Sequence, residues 1–273
     1  EMQRVKEKAI QLLKDGVVDR VIGWKAGEFF YDLTPAVFTT AEEVEKGFVW
    51  SVFSAANVSK YLIAESKKGG RIAAFLKPCD SYSFVQLCKE HRIAKENVYV
   101  VGVQCDGTCD IEKLKALGFK GVTGVEERGE ELLVSTLYGG KTAAKKDALL
   151  ERCTVCKSKR IAYFDELLGE QGEDCGDARF EAVEKLEAMT PEERFAFWRG
   201  ELSRCIRCNA CRNVCPACSC EKCVFDNHAL GTDNKAAADD FEENFFHIIR
   251  AFHVASRCTD CGECSRVCPQ HIP

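Results

Sequence analysis

Twice toward its C-terminal end the chain repeats one spacing of cysteines. Cys205, Cys208, Cys211 and Cys215-Pro216 spell C-x2-C-x2-C-x3-C-P, and Cys258, Cys261, Cys264 and Cys268-Pro269 spell it again. This is the bacterial ferredoxin run, in which three closely spaced thiolates grip one 4Fe-4S cube and the fourth ligates the other cube. The crossed rule pairs Cys205, Cys208 and Cys211 with Cys268, and Cys258, Cys261 and Cys264 with Cys215. Structural zinc sites favour C-x2-C pairs over triple runs closed by C-P. A zinc-dependent interaction module is therefore the weaker reading of these residues.

Cysteine placement also divides the chain. Of 18 cysteines, eleven lie between Cys205 and Cys268, whereas the first 152 residues hold only Cys79, Cys88, Cys105 and Cys109. The expected organisation is an α/β N-terminal domain with a partly parallel sheet over residues 1–170, a helical linker over 171–200, and a helical dicluster ferredoxin-like domain over 201–273. The composition, 46% apolar and 30% charged, is that of a globular protein. No apolar run approaches the roughly 18 residues of a membrane span, and EMQRVKEKAIQLLKDG is an amphipathic helix pattern without a signal core. The expectation is a cytoplasmic protein with no membrane association. In that compartment thiols stay reduced, so ligation is a better use for so many of them than disulfides. A net charge of -5 gives no basic footprint, and nucleic acid is excluded as a default partner.

Both runs are expected to be reached from helices. In TPEERFAFWRGELSRC, Thr190 is placed as N-cap, with Pro191 at the first helical position and Glu193 three residues after the cap. In FEENFFHIIRAFHVASRC, Phe245, Ile248, Ile249 and Phe252 recur at i, i+3, i+4 and i+7 and predict a packing face. His247 and His253 on that helix read as ordinary surface or core residues.

The N-terminal part carries its own cysteines. Thr40-Ala-Glu-Glu opens a helical region running on to SKKGG, where Gly69 is the expected left-handed cap. Then RIAAFL, SYSFVQLCKEH and NVYVVGVQ read as strand, helix and strand, a βαβ unit whose strands are parallel. Cys79 follows the first strand and Cys105 the second, which puts both at the carboxyl edge of one sheet, where open α/β folds build their sites. Cys79 also precedes a helix start, whose free N–H groups favour anionic ligands. The pair Cys153 and Cys156 completes a set of four for a third cluster, with Cys109 an alternative to Cys105. YGGKT at 138–142 lacks the glycine that a phosphate loop needs where Ser135 stands, and reads as a hairpin turn. KKDALLER reads as a solvated helix face. No GxGxxG is present.

At KPCDSYSFVQLCKEHRIAKENVYVVGVQCDG and CTVCKSKRIAYFDELLGE the chain resembles the beta subunits of deazaflavin-dependent hydrogenases and formate dehydrogenases, and their bacterial relatives of the heterodisulfide-reductase-associated type. CIRCNACRNVCPACSCEKCVFDN and HIIRAFHVASRCTDCGECSRVCPQHIP are similar to the dicluster modules of that group. The resemblance covers most of residues 17–273. It implies that Cys79, Cys105, Cys153 and Cys156 are cluster ligands, and it leaves Cys109 outside the pattern. The archaeal beta subunits bind a flavin, so FAD is implied as a possible cofactor, with no contacting residue assigned here.

Cys218, Cys220 and Cys223 exceed what two runs need. One reading makes them an additional metal site, drawing on Cys175. The other makes them small residues packed around the cubes, tuning potential through hydrogen bonds. The function these features predict is an iron-sulfur electron-transfer subunit of an anaerobic oxidoreductase complex, partnered by a catalytic formate dehydrogenase, hydrogenase or heterodisulfide-reductase-like subunit. The competing expectation is a flavin subunit that itself oxidises or reduces a nicotinamide or deazaflavin coenzyme. No acid–base pair suggests a catalytic residue in the chain.

Overall fold

The structure is a computed structural model that describes residues 2–226 and 240–273, the side chains of Asp240 and Glu243 excepted. The chain divides into two compact units, Glu1–Gly176 and Asp177–Pro273.

The first unit opens with helix α1 (Met2–Lys14), which buries Val5, Ala9 and Leu12 at helical spacing. Strands β1 (Arg20–Ala26) and β2 (Leu33–Phe38) follow, then helices α2 (Ala41–Gly47) and α3 (Leu62–Glu65). The Thr40 hydroxyl accepts from the Glu43 amide while the Glu43 carboxylate accepts from the Thr40 amide, closing the capping box. The helical region is interrupted at Phe48, whose extended backbone ends α2. At its far end Gly70, not Gly69, takes the left-handed conformation, at φ +76°.

Strand β3 (Ile72–Leu76), helix α4 (Pro78–Lys89) and strand β4 (Val98–Val103) form the expected βαβ unit. The two strands pair in parallel with Ile72 opposite Val98 and Leu76 opposite Gly102. Every residue of β3 is buried, as a continuous apolar strand between parallel neighbours must be. Next come helix α5 (Ile111–Ala116), strands β5 (Val122–Arg128), β6 (Glu131–Thr136) and β7 (Gly139–Ala144), helices α6 (Lys145–Ala148) and α7 (Glu151–Thr154), and strand β8 (Glu166–Leu168). The main sheet has the order β2-β1-β3-β4-β8. Only the β1–β2 pair is antiparallel. Strands β5, β6 and β7 make a separate antiparallel sheet; of YGGKT only Tyr138 lies in its second turn, and the rest begins β7.

That small sheet shapes a second apolar core of Leu114, Leu132, Val134 and Ala148, beside the main core around Trp24, Phe75 and Phe84. Lys145 enters here. It is buried and paired with Glu127 across the sheet edge, so the start of KKDALLER is not a solvated face. Periodicity alone could not show this, because the carboxylate that neutralises Lys145 lies 18 residues earlier in the chain.

The second unit contains helices α8 (Glu181–Glu187), α9 (Pro191–Leu202), α10 (Ala210–Val214), α11 (Asp240–Val254) and α12 (Glu263–Arg266). Thr190 caps α9 as expected, with its hydroxyl on the Glu193 amide at 3.2 Å and the Glu193 carboxylate on the Thr190 amide at 2.9 Å. On α11 the residue driven inside is Phe246, 3% exposed, while Phe245, Ile248 and Phe252 are 41%, 47% and 73% exposed. Three of the four residues of the expected packing face are thus exposed, and Ile249 is half-buried. Among the described residues no helix is long and apolar enough to cross a membrane.

Candidate functional site

The two C-terminal runs fold alike. Two residues after the first cysteine of each, Arg207 and Asp260 take φ of 54° and 56°, and four residues after it, Asn209 and Gly262 take 61° and 69°. Left-handed backbone at a non-glycine residue costs free energy, and it is kept where the surroundings demand it. Here it turns amides onto sulfur: the Arg207 amide donates to Cys205 Sγ and the Asp260 amide to Cys258 Sγ, each at 3.4 Å. Each run then enters a short helix. Cys211 sits in α10 and Cys264 in α12, and the fourth cysteine of each run follows that helix and precedes a proline.

A cavity of about 410 Å³ lies in this unit, and Cys205, Cys208, Cys211, Cys264 and Cys268 all reach its wall. Three of the expected ligands of one cube and the fourth, from the other run, therefore border one space. The Cys264 thiol is pushed up by burial and then by the charges of Cys258 and Cys211, which puts thiols of the two runs in electrostatic contact. Cys215 is hydrogen-bonded to the Cys218 thiol, which, with burial, raises its pKa.

The extra cysteines have separate surroundings. Cys218 meets Cys215 and the Arg250 guanidinium. Cys223 is hydrogen-bonded to Arg212, which also pairs with Asp226 at 2.9 Å. Cys220 is exposed.

In the first unit the parallel sheet does what the βαβ reading requires. Strand β3 ends at Leu76 and Pro78 starts α4, so Cys79 lies inside the first helical turn and not before the helix start as expected. Cys105 lies two residues beyond the end of β4. The loop after it bends at Gly107, φ +101°, where a Cβ would stand 2.6 Å from Leu149 Cδ2. This bend delivers two donors to Cys153 on α7: the Thr108 amide and hydroxyl, both 3.4 Å from its Sγ.

Charges in this unit trace the same neighbourhood. Burial raises the Cys79 thiol, with Asp80 adding to the effect and Arg152 and Lys77 opposing it. Burial pushes Cys105 up to about 11, with Lys77 opposing and Cys153 adding. Cys156 is raised by burial while also interacting with Cys175 and Cys153. Cys79, Cys105, Cys153 and Cys156 thus form a connected series. Cys109 is buried in the second apolar core, where burial pushes it up to about 12, and it too lies within the field of Cys153.

Sequence reasoning missed Cys175 as a neighbour of Cys156. Segments 157–159 and 173–175 pair by backbone bonds, Lys159 amide to Glu173 carbonyl and Cys175 amide to Lys157 carbonyl, and this brings the two thiols together. The only local signal was the Gly172 and Gly176 punctuation around that segment. It also missed the buried pair Lys77 and Asp80, whose Nζ and Oδ2 are 2.8 Å apart beside Trp24.

Among the described residues no three His, Cys, Asp or Glu side chains could hold one metal ion. A tetrahedral zinc at a Zn–S distance of ≈ 2.3 Å draws its sulfurs to about 3.8 Å from one another. A cube bonded at its corners holds its thiolates farther apart, and five cysteines on the wall of one cavity are compatible with it. The donor set fits as well, being thiols met by backbone N–H groups and, at Cys79, by the charge of Arg152.

Comparison with known proteins adds four findings. Residues 201–272 match the 4Fe-4S dicluster domain family. Over 320 aligned residues the chain is 26% identical to the F420-dependent formate dehydrogenase subunit beta of Methanocaldococcus jannaschii, covering 96% of this chain and 83% of that protein. It is also 26% identical to F420-dependent formate dehydrogenase 1 subunit beta of Methanococcus maripaludis, covering 78% of this chain and 71% of that one. A chain of the F420-reducing NiFe hydrogenase complex from Methanosarcina barkeri aligns with a TM-score of 0.45 at 18% identity, over 56% of this chain and 58% of that one.

Proposed function

We propose that this chain is an iron-sulfur electron-transfer subunit of an oxidoreductase complex, carrying electrons to or from a catalytic partner subunit. The observation that carries the reading is the cavity walled by Cys205, Cys208, Cys211 and Cys268, within the segment matching the dicluster family. The relatives, both beta subunits of formate dehydrogenases, support a catalytic partner.

In finer detail we assign three clusters, held by Cys205, Cys208, Cys211 and Cys268, by Cys258, Cys261, Cys264 and Cys215, and by Cys79, Cys105, Cys153 and Cys156. Bound there, 4Fe-4S clusters supply one-electron chemistry without proton transfer. The chain's own residues hold the thiolates, and the amides of Arg207, Asp260 and Thr108 direct N–H dipoles at sulfur. With so many reduced thiols the cytoplasm is the compartment we assign.

A flavin reading has one observation in its favour. A second cavity of about 410 Å³ borders Cys105 and is lined by Trp50, Lys77, Gly107, Glu126 and Lys145, among others. Its two buried lysines are already committed, Lys77 to Asp80 and Lys145 to Glu127. The diphosphate of FAD would find those cations neutralised and Glu126 beside it, so the lining does not fit that part of FAD.

Anaerobic preparation of the full chain tests both readings. The cluster reading expects about twelve irons per chain for three four-iron clusters, bleaching of absorbance on dithionite, and loss of one third of the iron in Cys153→Ser. Zinc in place of iron would overturn it. Flavin released from the denatured protein would restore the alternative.

A further inference from the structure

We propose that Arg250 raises the reduction potential of the cube held by the first run above that of the cube held by the second, so that an electron entering the pair settles at the first. This rests on the cluster assignment above.

Arg250 lies on α11 and reaches across to the first run. Its Nη1 donates to Cys211 Sγ at 2.9 Å, and a second side-chain hydrogen bond goes to Cys218. Cys215, assigned to the other cube, feels its charge less than Cys211 and Cys218 do. This guanidinium and that of Arg207 both lie over the Phe246 ring, 5.9 Å and 4.1 Å from its centroid. Among the described residues neither guanidinium pairs with a carboxylate. Arg207 donates to the Glu242 backbone carbonyl, and the Nε atoms of both arginines are buried without an acceptor. The other arginines near this run are neutralised, Arg204 by Glu201 and Arg212 by Asp226.

The second run is furnished in the opposite sense. Where the first run has Arg207, two residues after its opening cysteine, the second has Asp260. Asp260 is paired with Arg179, and the buried Glu263 beside Cys264 is paired with Arg266. Each carboxylate meets one guanidinium, whereas in the first run Arg207 and Arg250 meet no carboxylate among the described residues.

Reduction adds one electron, hence one negative charge, to a cube. A cation hydrogen-bonded to a ligand sulfur stabilises the reduced form more than the oxidised one, and hydrogen bonds to sulfur and net charge are what set cluster potentials. Arginine stays protonated at any working pH, so one electron moves with no proton and the bias is permanent.

The test is a potentiometric titration of the anaerobic full-length protein followed by paramagnetic resonance, with iron and sulfide measured on the same samples. In Arg250→Gln the iron content should match the parent. At a fixed potential the reduced-to-oxidised ratio of one cluster should fall about tenfold, a shift of about 59 mV for a one-electron couple. Arg250→Lys, which keeps the charge and loses the fork, should fall between the two. Full iron content with unchanged midpoints in Arg250→Gln overturns the proposal while leaving the clusters in place. Should Arg250→Gln fail to retain iron, the lysine variant decides: a lowered midpoint supports the proposal and an unchanged one overturns it. A parent protein that binds no iron would instead overturn the cluster reading itself.

Discussion

Arg179 grips Asp260 side-on, with the Nε–Nη2 edge of its guanidinium. Nε stands 2.6 Å from Oδ2, Nη2 stands 3.0 Å from Oδ1, and Nη2 also reaches the Asp260 carbonyl at 2.8 Å. Asp260 is the left-handed residue between Cys258 and Cys261, so a side chain 81 positions upstream holds the backbone that aims an amide at Cys258. Arg179→Ala should cost about 1.5–3 kcal/mol, the range for hydrogen bonds to charged groups. Chemical denaturation of the reduced protein checks the stability loss. Iron analysis should show the second-run cluster becoming the more easily lost.

Lys77 and Asp80 are both almost fully buried, at 2% and 0% side-chain exposure. Removing one charge leaves the other uncompensated in a dry interior. Lys77→Met should therefore destabilise the protein by about 3–5 kcal/mol. Lys77→Met combined with Asp80→Asn should cost less than the two single changes added together, since residues in direct contact are coupled. Urea unfolding of the three variants measures the coupling, and simple additivity would contradict the pair's role.

The two faces of α11 should answer differently to truncation. Phe246 is 3% exposed and Phe252 is 73% exposed. Phe246→Ala should cost about 3–5 kcal/mol, as loss of a core aromatic does. Phe252→Ser should stay within about 0.5 kcal/mol of the parent, as for a surface position. Thermal melts of both variants read the difference directly.

His247 is held neutral. Burial first, then the charges of Arg250 and Arg207, bring its pKa down to about 4. The folded protein therefore binds fewer protons than the unfolded chain once pH falls below the ordinary histidine value of about 6.5. Stability present above pH 6.5 should be lost progressively down to about pH 4. His247→Gln should show a flatter stability profile across that window, and equal slopes in variant and parent would refute the assignment.

Much of the architecture was legible because it is written in short-range pattern. RIAAFL, SYSFVQLCKEH and NVYVVGVQ became β3, α4 and β4 with the parallel pairing expected, since an all-apolar run between helices is stable only when both faces are covered. Thr40 and Thr190 were legible as caps because a capping box is closed within four residues. The β5–β6–β7 sheet was harder to read. Its strands show weak alternation, with only Leu132 and Val134 buried along β6, and its short turns leave little apolar signal.

Spacing along the chain determined by itself the two repeated cysteine runs and the carboxyl-edge positions of Cys79 and Cys105, because both follow from local geometry. Only the tertiary structure decided which face of α11 turns inward, that Lys145 is buried, that Cys175 lies beside Cys156, and that Arg250 touches Cys211. Each of these depends on segments 18 to 39 residues apart meeting in space, and no periodicity in a single segment encodes what will arrive against it.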